Sequence, residues 1–443
     1  MDREQTSSSD SNITPLRDQI FTHKIEQRFL CWYRSFFSIF EIERSGTLQW
    51  SFGALLLTYV ISFAFYAESH YTTVEAYLNN AYLCWPYFQN CGEYFFLSNL
   101  PYGHTQPLLY VFFLGIMGVI TYLMWRKDWV LAHMLLSVLF IWKFVLTFFL
   151  TASFGGNYDY FDLIFSIILL ALPYKIFFLR LGFVFLYFLA ATIKLDEGWV
   201  LGTYFSSLQT GLPIFPDIAT PFITNFVIFM QIIGTWFLLS SNKLLQRGAV
   251  VYFLTFHLYS GLIVHYRYLL STIPLLMILF GPAFRPSPVP RDRRSIVAWF
   301  FFLLLLCWQL FPYTIEGDHR MTQEGNRIGL FMFEANHQCL SQAQVHYKNG
   351  SIADLRRETV SSRSRCDLYK SWFRINQLCK RNDQIESVAW QFDHSINGGP
   401  FYRIVDINNA CEIQYQPFSH NEWIKLPKDT PEIIAYPVKN LYF

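Results

Sequence analysis

Hydrophobic residues run along this chain in long stretches, separated by short polar ones, up to about residue 313. A helix that crosses a bilayer needs about 20 apolar residues. On that measure the runs near 48–67, 106–125, 129–152, 160–173, 176–193, 219–240, 248–266, 268–282 and 296–313 predict about nine spans. Ahead of them, residues 1–24 are polar and read as a disordered cytoplasmic tail. In 25–46, Phe29, Leu30, Trp32, Phe36, Phe37 and Phe40 recur at helical spacing, interleaved with Arg28, Arg34 and Arg44. That is the pattern of an amphipathic helix on the membrane surface, or of a lead-in to the first span.

From 314 to 443 the pattern changes. Cys339 to Tyr347 and the chain after Ser351 flank Asn349-Gly350, a hairpin signal. Leu368, Trp372, Ile375 and Leu378 share one helical face, and Glu386–Phe392 and Phe401–Ile407 alternate as strands. The predicted fold class is mainly α: a polytopic transmembrane bundle over 47–313, then a small α+β domain over 314–443.

Composition supports a membrane setting. The chain is 53% hydrophobic and only 15% charged, against about 25% charged in soluble domains. Net charge is +2, and no basic patch interleaved with aromatics is present, which sets nucleic acid aside. The polar first residues lack the apolar core of a cleaved signal peptide. Lys and Arg gather in loops on one side, at Arg126, Lys127, Lys175, Arg180, Lys243, Arg247 and Arg291–Arg294. That side is therefore cytoplasmic, together with the N-terminus. The domain after 314 then faces the lumen of the endoplasmic reticulum or a bacterial periplasm. Cys84, Cys91, Cys339, Cys366, Cys379 and Cys411 fall on that oxidising side and predict disulfides, with the pairing left open. No metal site is predicted, because no CxxC pair occurs.

Within the apolar runs, ionisable residues are few: His133, Lys143, Lys194, His257 and His265. Charge in a bilayer costs about 2.5–3.5 kcal/mol on insertion scales, so each is a candidate for function. Lys194 ends the run Tyr187–Ile193 and is followed by Asp196, Glu197 and Trp199. It reads either as a snorkelling anchor or as a desolvated amine acting as a general base. Tyr187, Ala190 and Ala191 lie one and two turns back and leave room for a flat ligand. His257 reads as a core histidine or a ligand contact. Arg267 reads as a headgroup anchor or a holder of an acidic group. Lys143 calls for an acidic partner such as Asp159 or Asp162. Gly155-Gly156-Asn157-Tyr158-Asp159-Tyr160 reads as a loop or as one wall of a site.

The segment Tyr187-Phe188-Leu189-Ala190-Ala191-Thr192-Ile193-Lys194-Leu195-Asp196-Glu197-Gly198-Trp199-Val200 resembles the YFIAGVKKLDADWV segment of vitamin K-dependent gamma-carboxylases. Phe256-His257 resembles that family's FHC-containing span, and the wider group is the HTTM (horizontally transferred transmembrane) family. The resemblance covers about residues 30–320. It implies a lyase-type membrane enzyme in which Lys194 deprotonates vitamin K hydroquinone or another quinol. Tyr187, Ala191, Asp196, Trp199, His257, Arg267, Asn157 and Tyr158 would then surround the cofactor or substrate, a glutamyl residue of a secreted or lumenal protein. Two positions depart from the family: Ile193 replaces the first of two lysines, and Tyr158 stands where the family has a histidine. The alternative is a non-catalytic membrane protein whose C-terminal domain binds a partner.

Overall fold

The computed structural model describes residues 27–65, 82–91, 105–144, 157–208, 210–264, 269–327, 329–331, 334–355, 358–360, 366–426 and 436–437. The tail over 1–24 lies outside them. After a helical stretch over 27–44, the longer helices among the described residues are α1 (Gly46–Phe65), α2 (Thr105–Trp125), α3 (Trp129–Phe144), α4 (Asn157–Ala171), α5 (Lys175–Thr192), α6 (Thr220–Ile232), α7 (Lys243–Leu262), α8 (Leu269–Phe280) and α9 (Ile296–Leu310).

α5 is the hub, packed against α4, α6, α8 and α9. Its aromatics explain this: Phe183 meets Phe161 and Phe165 edge-on and also meets Phe280, while Phe178 and Phe185 meet Phe302. Gly182 permits the approach to α4, since a Cβ there would come within 2.7 Å of Ile168.

The expectation of about nine spans is corrected. Among the described residues, two helices are long and apolar enough to cross a membrane: Lys175–Thr192 and Arg293–Thr314. Phe112–Trp125, Trp129–Phe144, Tyr160–Ala171, Asp217–Ile232 and Leu269–Phe280 are shorter apolar stretches of 10–17 residues. α6 and α8, with 13 and 12 residues, reach about 18–20 Å at 1.5 Å per residue, short of a core about 30 Å thick. The hydrophobic runs also contain interruptions that composition hides. Pro274 sits inside α8, and α7 opens on Lys243, Gln246 and Arg247. A polytopic bundle is thus not what the helices show.

The C-terminal part is an antiparallel sheet of β1 (His337–Tyr347), β2 (Ile352–Asp354), β3 (Glu358–Val360), β4 (Ile385–Ile396), β5 (Tyr402–Ile407) and β6 (Tyr436–Pro437). Its order is β2-β1-β4-β5-β6, with β3 also on β1. The β1–β2 hairpin turns through Gly350 at φ 80°, with Gln344 opposite Asp354. The sheet and the helix α10 (Leu368–Arg381) share a core in which Trp372, Phe373, Val388 and Trp390 are buried.

The six cysteines pair as Cys84–Cys91, Cys339–Cys366 and Cys379–Cys411. The last two clamp both ends of α10, one to β1 and the other to the segment after β5. The Cys84–Cys91 loop packs on this domain, where Tyr369 donates to the Cys84 carbonyl at 2.8 Å and Gln89 to the Tyr415 carbonyl at 3.0 Å. Cys339–Cys366 spans 27 residues of sequence. Chain entropy assigns such a loop about 3–4 kcal/mol. The double variant Cys339→Ser/Cys366→Ser is expected to lose that amount in urea unfolding followed by tryptophan fluorescence. Reductant should then have less further effect on it than on the parent.

Candidate active site

α5 ends at Thr192, and the chain turns so that Lys194 points back along the helix. The Lys194 ammonium is buried, donates to the Ala190 carbonyl at 2.6 Å and stands 5.3 Å from the Trp199 ring centre. Burial pushes this amine down to about 7, and Asp196 pulls the other way.

The Asp196 side chain caps the short helix Glu197–Val200, accepting from the Gly198 and Trp199 amides. Trp199 is thereby held under Lys194, where it stacks on Tyr204 at 5.2 Å and meets Phe205 edge-on at 5.1 Å. Asp196 also pairs with Arg320 at 2.9 Å, and Arg320 pairs with Asp318 at 2.7 Å. Burial raises the Asp196 carboxyl above its usual value, while Arg320 and the two amides draw it back.

Lys194 borders a cavity of about 440 Å³. On α5 its walls are Leu186, Tyr187 and Ala190; on α6 they are Ile223, Thr224, Phe226, Val227 and Gln231; on α7 they are Tyr252, Thr255, Phe256, Tyr259 and Ser260. Trp199, Phe205, Leu212, Phe215, Ser271, Thr272 and Leu330 complete it, with Phe161 and Val264. This volume is in the range of small-molecule pockets, and the lining is mostly apolar with a few polar groups. Phe226 and Thr255 line the cavity and are also exposed, so it opens between α6 and α7. The outer faces there are apolar and exposed at Phe222, Phe229, Val251, Leu258 and Leu262.

Two of the sequence candidates join Lys194 at this wall, namely Tyr187 and Trp199. His257 lies behind it: its Nε2 bonds the Tyr187 hydroxyl and its Nδ1 faces the Thr272 hydroxyl at 3.3 Å. Ala191 is fully buried in the helix packing, and Ala190 takes the place at the cavity. Asp196 serves the cap and the ion pair and does not line the cavity. Asn157 and Tyr158 open α4, but their side chains, like Arg267 and His265, lie outside the described residues. Lys143 pairs with Asp162 at 2.9 Å, a buried structural contact away from the cavity.

Residues that sequence reading passed over complete the site. Thr224, Val227 and Gln231 repeat at helical spacing along α6, and Gln231 is the one amide in that apolar stripe. Gln309 on α9 is buried, accepts from the Leu330 amide at 2.7 Å and donates to Thr192 at 3.3 Å, tying the chain after α9 to the end of α5. In both cases the available signal is a lone glutamine in an apolar helix. No family model matches the chain, and neither a characterised protein nor a solved structure shows significant similarity to it.

Proposed function

We propose that the cavity receives a flat, lipid-soluble hydroxy-aromatic ligand of the quinol class, and that Lys194 is the base that takes a proton from it. One observation carries this reading: a buried amine with a value near 7 forms part of the wall of an apolar cavity. A neutral lysine has two N–H bonds and one lone pair. One N–H is used on the Ala190 carbonyl, and the lone pair remains as a proton acceptor.

The ligand would supply the phenolic proton. The chain supplies the rest: Ala190 leaves space beside the amine, Trp199 flanks it, and the aromatic walls exclude water. The opening between α6 and α7 offers an apolar tail a path along exposed apolar surface. The resemblance of the Tyr187–Val200 segment to quinol-using carboxylases supports the same assignment. The proposal covers proton removal and not carboxylation of a glutamyl substrate, because Tyr158 stands where that family has its histidine.

Among the described residues, two helices are long and apolar enough to span a membrane. The disulfides support an oxidising compartment, lumenal or periplasmic, for the sheet domain. The test is to purify the protein in mild detergent and identify retained lipids by mass spectrometry. A quinone or quinol is expected at near-stoichiometric amount, depleted by Ala190→Trp, which fills the cavity beside Lys194. Bulk phospholipid alone, in both proteins, sinks the assignment.

A further inference from the structure

We infer that Gln231 selects the reduced form of the ligand by accepting a hydrogen bond from its second hydroxyl. The inference rests on the quinol reading above and adds to it the redox state that the site recognises.

Gln231 is buried, lines the cavity, and its Oε1 makes no hydrogen bond among the described residues. A buried carbonyl oxygen without a partner is costly, and such groups are rare in folded proteins. Several other polar groups on the walls are engaged. Thr224 donates to Thr220 and Pro221, Ser260 to Phe256, Tyr259 to Pro213, and Tyr187 bonds His257.

Position matters as much as vacancy. α5 and α6 run antiparallel, because Asn225 bonds the Val200 carbonyl at 2.7 Å and Thr235 the Val184 carbonyl at 3.5 Å. Gln231 falls between these two ties and lines the same cavity as Tyr187 and Ala190 of α5 and Lys194 just past its end. A ring lying over Ala190 thus meets Lys194 toward one end and the amide oxygen on the facing helix.

A dihydroxy ring has two O–H donors, one for the Lys194 lone pair and one for Gln231. The oxidised quinone has carbonyls in both places and no donor, so with the amide turned as it is in this structure its binding leaves the Gln231 Oε1 bare. Sites built to bond a ligand hydroxyl reject analogues that lack it for this reason.

The experiment compares a soluble methylnaphthohydroquinone, held anaerobic, with the corresponding naphthoquinone, by competition or calorimetry on the full-length protein in detergent. We expect the reduced form to bind about tenfold more tightly. The dimethyl ether of the hydroquinone, with both donors blocked, should fall to the affinity of the quinone or below. Gln231→Met, of similar volume, should lose the preference while still binding both forms. The ether comparison needs no variant and stands even if Gln231→Met fails to fold. Equal binding of both forms by the parent, or a preference unchanged in Gln231→Met, overturns this inference and leaves the quinol reading intact. Binding of neither form overturns both.

Discussion

Lys194→Met is expected to slow quinol-dependent oxygen uptake by on the order of 10²–10⁴-fold, the usual contribution of a positioned general base. Oxygen is the oxidant in that assay: two electrons and two protons leave the quinol, giving quinone and hydrogen peroxide, and the first proton is the one assigned to Lys194. The parent's rate should rise with pH through about 7, where the amine loses its proton, and level off above. The variant's profile should show no inflection there. Linkage supplies a second readout. The native amine titrates near 7 and the unfolded one at 10.5. Between those values the unfolded chain holds a proton that the native chain does not, so stability rises with pH across that window. Lys194→Met should flatten this slope, measured by urea unfolding at several pH values. Unchanged oxygen uptake in a folded Lys194→Met protein would remove the base and favour the alternative, in which the sheet domain binds a partner and the cavity is structural.

What the sequence makes legible depends on how local the cause is. The Asn349-Gly350 hairpin and α10 are set by short-range chemistry: a turn pair that accepts positive φ, and the Leu368, Trp372, Ile375 face. The even number of cysteines in one region announces disulfides, while the pairing depends on how β1, α10 and the segment after β5 meet. Counting apolar residues fails where it takes a packed interior for a lipid-facing run. α8 is apolar because Leu275, Leu276 and Leu279 are buried against neighbouring helices, not because it is long enough to span. Lys194 stands out in the sequence because a charge ending an apolar run is costly. Gln231 carries no charge, so only the shape of the cavity reveals it. Asp196, beside the lysine, looks like a ligand contact, but Arg320, more than a hundred residues away, defines what it does.

That long-range contact carries the second large effect, on stability. The Asp196 carboxylate does two things with one oxygen: Oδ1 caps the Glu197–Val200 turn and accepts from Arg320 Nη1 at 2.9 Å. Asp196→Asn keeps a capping oxygen and removes the charge, which should cost about 1.5–3 kcal/mol for a hydrogen bond between charged groups. Asp196→Ala removes the cap as well and should cost about 1 kcal/mol more. Neither should reach the cost of stranding a buried guanidinium, because Arg320 keeps Asp318 at 2.7 Å. The structural consequence lies where the chain after α5 meets the sheet. There Asn336 bonds the Ser207 carbonyl at 3.2 Å and hydroxyl at 2.9 Å, and Asn397 crowds Gly198 so closely that a Cβ would come within 2.2 Å of its amide. Asp196 is the group that pulls the Lys194 amine upward against burial, so removing its charge should hold the amine further below its ordinary value and shift the activity profile to lower pH. The same change should also speed tryptic cleavage at Arg320, now less firmly held. Thermal unfolding of the two variants, with the cleavage rate, separates the contributions. Equal losses for Asn and Ala would mean the cap contributes nothing, and losses under about 0.5 kcal/mol in both, the range of ordinary surface changes, would mean the ion pair does not hold the two parts together.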